Sequence, residues 1–258
     1  MKEILRINNI SKTYKIKGAF LKLSGFVNAL KGIFFTVSKG ETLALIGESG
    51  SGKSTLAFIV AGLISPDSGN IIYKGRDLHA LYKKDSKIRR KIQIIFQDPY
   101  NTLNPRYKVY DALSEPVWVH KIVSRRKIKN EIVRTLEMVG LGEDYIYKYP
   151  HELSGGERQR IAIARAIILK PEVIICDEPT SNLDLSIQAQ ILNLLLEIKK
   201  REDLTLLFIT HDINIASFIS DRVIVLYNGE IVEEGKKEDI FANPVSSYTK
   251  SLFEASTL

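Results

Sequence analysis

The sequence predicts an α/β fold: a mostly parallel sheet flanked by helices, with an antiparallel β portion at the start and an inserted, mainly helical lobe. Three observations carry this. Short apolar runs alternate with helix-length stretches through the second half of the chain. A glycine-rich loop beginning at Gly47 stands between a strand-like run and a helix-like one. From about Pro99 to Glu152 the alternation breaks into a stretch holding Pro99, Pro105, Pro116, Trp118 and several tyrosines. Strands buried on both faces read as continuous apolar runs, and alternation of strand with helix marks a layered α/β sheet.

The opening segment alternates, with Leu5 and Ile7 pointing one way and Arg6 and Asn8 the other, so it reads as a strand. Val27 to Val37 is also strand-like, and Lys39-Gly40-Glu41 turns it into a buried strand at Leu43–Ile46. Ser54 to Ile64 lacks proline and reads as a helix, closed by the turn residues Ser65-Pro66-Asp67-Ser68-Gly69. Ile92 to Phe96 is a further strand, and Lys129 to Val139 the one clear helix of the inserted lobe. Then follow a helix at Gly155–Leu169, a strand at Val173–Cys176, a helix at Ser186–Lys200 and a strand at Leu204–Ile209. Arg222 to Glu233 reads as a hairpin, because Asn228-Gly229 between apolar runs is a strong turn signal.

At 258 residues the chain suits one large domain, or one domain with a lobe. Hydrophobic residues at 45% and charged residues at 26% describe an ordinary globular protein. The single cysteine, Cys176, excludes an internal disulfide and any zinc cluster built on paired cysteines. No window approaches the about 18 consecutive apolar residues of a membrane-spanning helix, and the first residues offer no signal-peptide core. The chain is expected to be soluble in itself. Net charge is +7. The basic clusters, among them Arg89-Arg90-Lys91 and Arg125-Arg126-Lys127, are scattered and lack interleaved aromatics, so they read as solvated faces.

Gly47, Glu48, Ser49, Gly50, Ser51, Gly52, Lys53, Ser54 and Thr55 satisfy the pattern G-x-x-x-x-G-K-[ST] with a strand before and a helix after. Glycines let backbone N–H groups converge on phosphate oxygens. Lys53 supplies a cation for the β- and γ-phosphates of a nucleotide and Ser54 a hydroxyl ligand for Mg²⁺. In an open parallel sheet ligands sit at the carboxyl ends of strands. The carboxylates Asp177 and Glu178, which end the run Val173–Cys176, are therefore expected to face that loop. Asp177 fits a metal ligand and Glu178 the general base that polarises attacking water. Gln97 and His211 occupy equivalent places after apolar strands, where they can reach the γ-phosphate, its water or Mg²⁺. Cys176 lies inside the apolar run and reads as core packing.

A second glycine pair stands in LSGGERQR, from Leu153 to Arg160. Ser154 and Glu157 form a capping box, and Ile161, Ala164, Arg165 and Ile168 share one helical face. Gly155 and Gly156 leave first-turn amides open, and the helix dipole favours an anion there. Local physics allows either an ordinary capped helix or an anion site; the latter is explicable if it meets a nucleotide held by another subunit.

The chain closely resembles the ATP-binding subunits of ABC transporters. The resemblance runs through nearly its whole length: the Walker A loop at Gly47, the Q-loop at Gln97, the signature LSGGERQR, the Walker B strand through Asp177 and Glu178, the D-loop Ser181-Asn182-Leu183-Asp184 and the switch His211. It implies a P-loop NTPase core at 1–97 and 153–235, a helical lobe at 98–152 and a short C-terminal extension at 236–258, all one ATPase domain. It further implies a head-to-tail dimer with ATP and Mg²⁺ between one subunit's Walker A and the other's signature. Ser154, Gly155, Gly156 and Glu157, with Asp184, would then lie at the partner's ATP, Tyr14 would stack on adenine, and Ser54, Gln97 and Asp177 would hold the metal.

Within the family the chain looks most like the ATPases of peptide and nickel importers, on VNALKGIFFTVSKGETLALIGESGSGKSTL, FQDPYNTLNPR and NPVSSYTKSL. Asn182 stands where that group typically has alanine, and Ser246-Ser247 where it has His-Pro. The resemblance implies a second, homologous ATPase subunit, two transmembrane permease subunits contacted by the segment from Tyr100 to His120, an extracellular solute-binding protein, and a place at the cytoplasmic face of the membrane. Two other readings are an exporter ATPase and a nucleic-acid-associated ABC protein. The second is disfavoured because the chain has one cysteine, one cassette and no long heptad tract, so no nucleic-acid partner is expected.

Overall fold

The structure, a computed structural model, describes residues 2–17, 23–98 and 102–255. The first residues of the expected membrane-contacting segment, Tyr100 and Asn101, and the last of the C-terminal extension, 256–258, lie outside the described residues. The chain forms two compact units, Met1–Asp85 with Leu207–Leu258, and Ser86–Leu206.

The first unit opens on β1 (Glu3–Lys17) and β2 (Leu23–Ser38), an antiparallel pair. The alternation at the start of β1 places Leu5 and Ile7 in the core and Arg6 outside. β3 (Thr42–Ile46) is buried along its whole length and delivers the chain to Gly47. α1 (Lys53–Val60) ends short of the expected Ile64, where Leu63 donates back to the Phe58 carbonyl at 2.9 Å and the chain turns away. β4 (Ser68–Tyr73) and β5 (Arg76–Asp77) complete an antiparallel sheet of order β2-β1-β4-β5. β4 was not expected beyond the turn at Ser65–Gly69. Its short apolar run owes its order to pairing with β1, where Ile7 faces Ile71, a long-range contact with no local signal. α2 (Leu78–Lys84) follows, capped by Asp77, which accepts from the Ala80 amide at 2.7 Å.

The second unit holds β6 (Ile92–Ile95), α3 (Val109–Val119), α4 (Ile128–Met138), α5 (Gly155–Ile167), β7 (Val173–Asp177) and α6 (Leu185–Glu202). β6 and β7 pair in parallel, Ile92 with Val173 through Ile95 with Cys176. α4 is the expected helix of the lobe. α3 is an addition: Val109, Ala112, Leu113 and Val117 bury one helical face although Pro116 removes a backbone donor from its interior.

The chain passes back into the first unit within β8 (Thr205–Ile209), whose residues 207–209 lie beside β3. After α7 (Ile213–Ile219), β9 (Arg222–Tyr227) runs parallel to β3. β10 (Glu230–Lys236) returns antiparallel through Asn228 and Gly229, both at positive φ, as the turn signal requires. The starts of β3 and β9 are pinned together: Asp221 accepts from the Thr42 amide at 2.8 Å and Arg222 meets Glu41 at 2.7 Å. α8 (Lys237–Ala242) and α9 (Ser247–Ala255) close the unit. Among the described residues no helix is long and apolar enough to cross a membrane.

Candidate active site

In the first unit the phosphate loop is shaped by the backbones around it. Gly47 has φ of 147°, and a Cβ there would lie 2.1 Å from the Leu226 carbonyl oxygen. Gly52 has φ of 110°, and a Cβ would lie 2.3 Å from the Ala29 carbonyl oxygen. Only glycine fits either place, which is the physical content of the G-x-x-x-x-G spacing. The hairpin turn also braces the loop, because the Gly229 amide donates to the Ser51 carbonyl at 3.0 Å.

Lys53 is 4% exposed. Its ammonium donates to the carbonyls of Gly47 at 2.7 Å and Glu48 at 2.6 Å, and to Ser51 Oγ at 3.3 Å. α1 has no side-chain cap at its start and no acidic residue in its first turn. A buried cation beside an uncapped helix start is a donor set that suits a polyphosphate. Glu48, Ser49, Gly50 and Ser54 are exposed, and Thr55 half-buried. His211 is exposed and follows Thr210, whose amide donates to the Leu45 carbonyl at 3.3 Å. That bond sets His211 just beyond the strand that feeds the loop. Tyr14 lies on β1, 41% exposed, with the Lys12 ammonium 5.8 Å from its ring centroid.

In the second unit β7 brings Asp177 to its carboxyl end, 5% exposed. Glu178 follows with φ of 47°, a left-handed conformation that turns the chain sharply. Gln97 Nε2 donates to Glu178 Oε2 at 2.9 Å, joining two residues that the sequence placed separately after β6 and β7. Cys176 is fully buried, and burial pushes its thiol well up, as expected of a core residue.

The expected capping box is present. The Glu157 amide donates to Ser154 Oγ at 3.3 Å, and Glu157 Oε2 accepts from the Ser154 amide at 2.7 Å and its hydroxyl at 2.8 Å. The Tyr145 hydroxyl also donates to Glu157. These bonds, Tyr145 first and then Ser154, hold the Glu157 carboxyl at about 2. A Cβ on Gly155 would lie 3.3 Å from Leu183 Cδ2, and one on Gly156 2.8 Å from Ile187 Cγ2, so both glycines also permit close packing at the start of α6. Asp184 is the residue before α6 and makes no side-chain cap. Gln97, Gly155, Gln159, Pro179 and Asn182 border one small cavity of about 90 Å³, which brings the Q-loop, signature and D-loop stretches together.

Three residues support the site through contacts that carry no local sequence signal. Gly229 supports Ser51, and Tyr145 charges the box at Glu157, each through contacts distant in sequence. The third, Tyr248 on α9, accepts from the Glu48 amide at 3.3 Å. Its stretch stood out in the sequence only through its likeness to relatives.

A phosphate loop around a buried lysine, and an acidic pair ending a parallel strand with a glutamine bonded to it, define an ATP-hydrolysing protein of the P-loop class. Residues 30–181 match the family model described as ABC transporter. The dipeptide transport ATP-binding protein DppF of Escherichia coli is 42% identical over 253 residues, 98% of this chain and 76% of the relative. The oligopeptide transport ATP-binding protein OppF of Bacillus subtilis is 45% identical over 243 residues, 93% of this chain and 80% of the relative. Among solved structures, the ATP-binding cassette MJ0796, a dimer in a post-hydrolysis state with ADP and Pi, superposes with a TM-score of 0.79. It is 32% identical and covers 91% of this chain and 99% of its own. CbiO1 of Clostridium perfringens, part of the transporter complex cbiONQ, gives 0.80 at 32% identity, covering 94% and 92%. The chain belongs to the ABC transporter family, as one of its ATP-binding, ATP-hydrolysing subunits.

Proposed function

We propose that this subunit energises an importer of peptides or related solutes, with nickel as an alternative cargo. The observation that carries the reading is identity of 42–45%, over 93–98% of the chain, to transport ATPases named for dipeptides and oligopeptides. The subunit sits peripherally at the cytoplasmic face of the membrane. It pairs with a second, homologous ATPase and engages two permease subunits, which an extracellular solute-binding protein supplies. In this reading 98–152 is the helical lobe that meets the permeases, and 236–258 a C-terminal extension of the core. Trp118 and Val119, both more than half exposed at the end of α3, border a groove of about 680 Å³ with Ile122 and Arg125, which supports such a contact.

Each residue then has a task. The loop from Gly47 to Thr55 receives the phosphates of ATP, with Lys53 as counter-charge to the β- and γ-phosphates, and Tyr14 stacks on adenine. Glu178 takes the proton of the attacking water, and Gln97 holds the Glu178 carboxylate through its amide N–H while keeping its carbonyl oxygen for a metal. His211 is the donor that senses the γ-phosphate. Ser54, Asp177 and the Gln97 carbonyl are the proposed donors to Mg²⁺, which when bound neutralises charge developing on the phosphate oxygens. Ser154 and Gly156 meet the γ-phosphate held by the partner. The dimeric state of the MJ0796 cassette supports pairing of two such subunits.

The test is Glu178→Gln in the membrane complex purified with its natural partners and reconstituted in liposomes. ATP binding should persist, turnover should fall at least about 10²-fold, as for loss of a general base, and uptake of labelled dipeptide should stop. Normal hydrolysis by the variant would remove Glu178 from the role of base. Transport by the wild-type complex of neither peptide nor nickel would remove the substrate reading.

A further inference from the structure

We propose that Tyr248, near the start of α9, is a positioning residue for ATP binding: its hydroxyl fixes the Gly47–Glu48 peptide and thereby sets the place of the Lys53 ammonium. The inference rests on the assignment of Lys53 to the nucleotide phosphates.

Two bonds grip one peptide plane. The Glu48 N–H donates to Tyr248 Oη at 3.3 Å, while the Gly47 C=O of the same peptide accepts from Lys53 Nζ at 2.7 Å. A peptide unit is rigid, so its N–H and C=O turn together. A rotation that breaks the contact with Tyr248 also swings the Gly47 oxygen away from the ammonium. Lys53 bonds the next carbonyl, that of Glu48, at 2.6 Å, so displacement of this peptide shifts both of its backbone partners. The loop's opposite side has its own brace in the Gly229 amide on the Ser51 carbonyl, at 3.0 Å. Tyr248 holds the near side.

The tyrosine is itself firmly placed. Its ring lies 4.0 Å from that of Tyr227, centroid to centroid, at the end of β9. Tyr227 directly follows Leu226, whose carbonyl is the wall against Gly47. Leu252 and Phe253 of α9 pack on a core that includes Ala44 and Ile46 of β3, the strand that ends in the loop. Phe253 stacks on Phe241 of α8 at 5.2 Å. Glu233 accepts from the amides of Val245 at 2.7 Å and Ser246 at 3.1 Å, capping the entry to the helix. Burial raises the Tyr248 hydroxyl above its ordinary value, so it stays a neutral acceptor at working pH. A hydroxyl fixed by a tilted ring contact and helix packing reports the position of α9 to the phosphate loop.

The test compares full-length wild type with Tyr248→Phe, which keeps the ring and removes only the oxygen. The Kd for ATP and the KM should rise about fivefold, the scale of one neutral hydrogen bond. The kcat should stay within about twofold, because the loop holds phosphate in ground and transition states alike. The melting temperature should move by no more than about 2 °C. Leu252→Ala, which loosens α9 without removing the hydroxyl, should lower the melting temperature by more than about 4 °C while KM rises less than about twofold. An unchanged KM in Tyr248→Phe would overturn the proposal, as would a rise in KM that tracks melting temperature equally in both variants. Lys53→Ala separates the two levels. If it abolishes ATP binding while Tyr248→Phe leaves KM alone, only the role of Tyr248 falls. If it binds ATP normally, the assignment of Lys53 falls as well.

Discussion

Glu157 joins the start of α5 to Tyr145 by a hydrogen bond. Its carboxyl, ordinarily near 4.5, is held at about 2 by hydrogen bonds from Tyr145 and from the amide and hydroxyl of Ser154, all of which favour the ionised form. A depressed carboxyl stabilises the fold above its unfolded pKa, and that contribution is lost as pH falls through the folded value. Glu157→Gln should therefore cost about 1 kcal/mol at pH 7, the scale of one capping interaction. The difference between variant and wild type should shrink as pH falls from about 4.5 towards 2. Denaturant midpoints measured across that range check both signs; a gap that stayed constant would detach the effect from ionisation. The Ser154–Glu157 box was legible in the sequence, because its partners are three residues apart and obey a local rule. Tyr145 was not, because it belongs to a turn of the lobe that only the fold brings to Glu157.

Elements were legible in proportion to how locally their order is fixed. β3, β7 and β8 announce themselves as apolar runs, and the Asn228-Gly229 turn fixes its hairpin, so the strands that present the phosphate loop and the acidic pair were readable. β4 depends on β1, and α3 hides behind Pro116, so both needed the tertiary structure. The start of α5 against α6 is a case where two local terms compete. Gly156→Ala gains up to about 1 kcal/mol of helix propensity, but its Cβ would stand 2.8 Å from Ile187 Cγ2, on a branched side chain with little room to retreat. Overpacking of this kind costs about 1–3 kcal/mol, so the net expectation is a loss of about 1 kcal/mol. A double-mutant cycle with Ile187→Ala, which removes the clashing methyl, should give a favourable coupling of about 1 kcal/mol or more. Additive effects would show that the clash relaxes without cost.

At the scale of the whole molecule, the chain carries one phosphate loop and one LSGGERQR stretch, and each belongs to a different unit. In the proposed head-to-tail pairing the two serve different nucleotides, so damage to one stretch should appear in the other subunit. Ser154→Arg places a long cation where the partner's γ-phosphate is to dock, and removes both the cap on the Glu157 amide and a donor to the Glu157 carboxylate. In a reconstituted complex with differently tagged ATPases, nucleotide trapping by vanadate with a photoreactive ATP analogue identifies which loop still turns over. Trapping should fall at least about tenfold in the partner and persist in the subunit that carries Ser154→Arg. Transport should fall with it, because in the proposed pairing both subunits act on the same permeases. The variant must keep its fold for the comparison to count, and a melting temperature within about 5 °C of wild type satisfies that, since loss of one cap costs about 1 kcal/mol. Trapping lost in the mutated subunit and retained in the partner would mean that the signature serves its own phosphate loop, and the head-to-tail reading would be wrong.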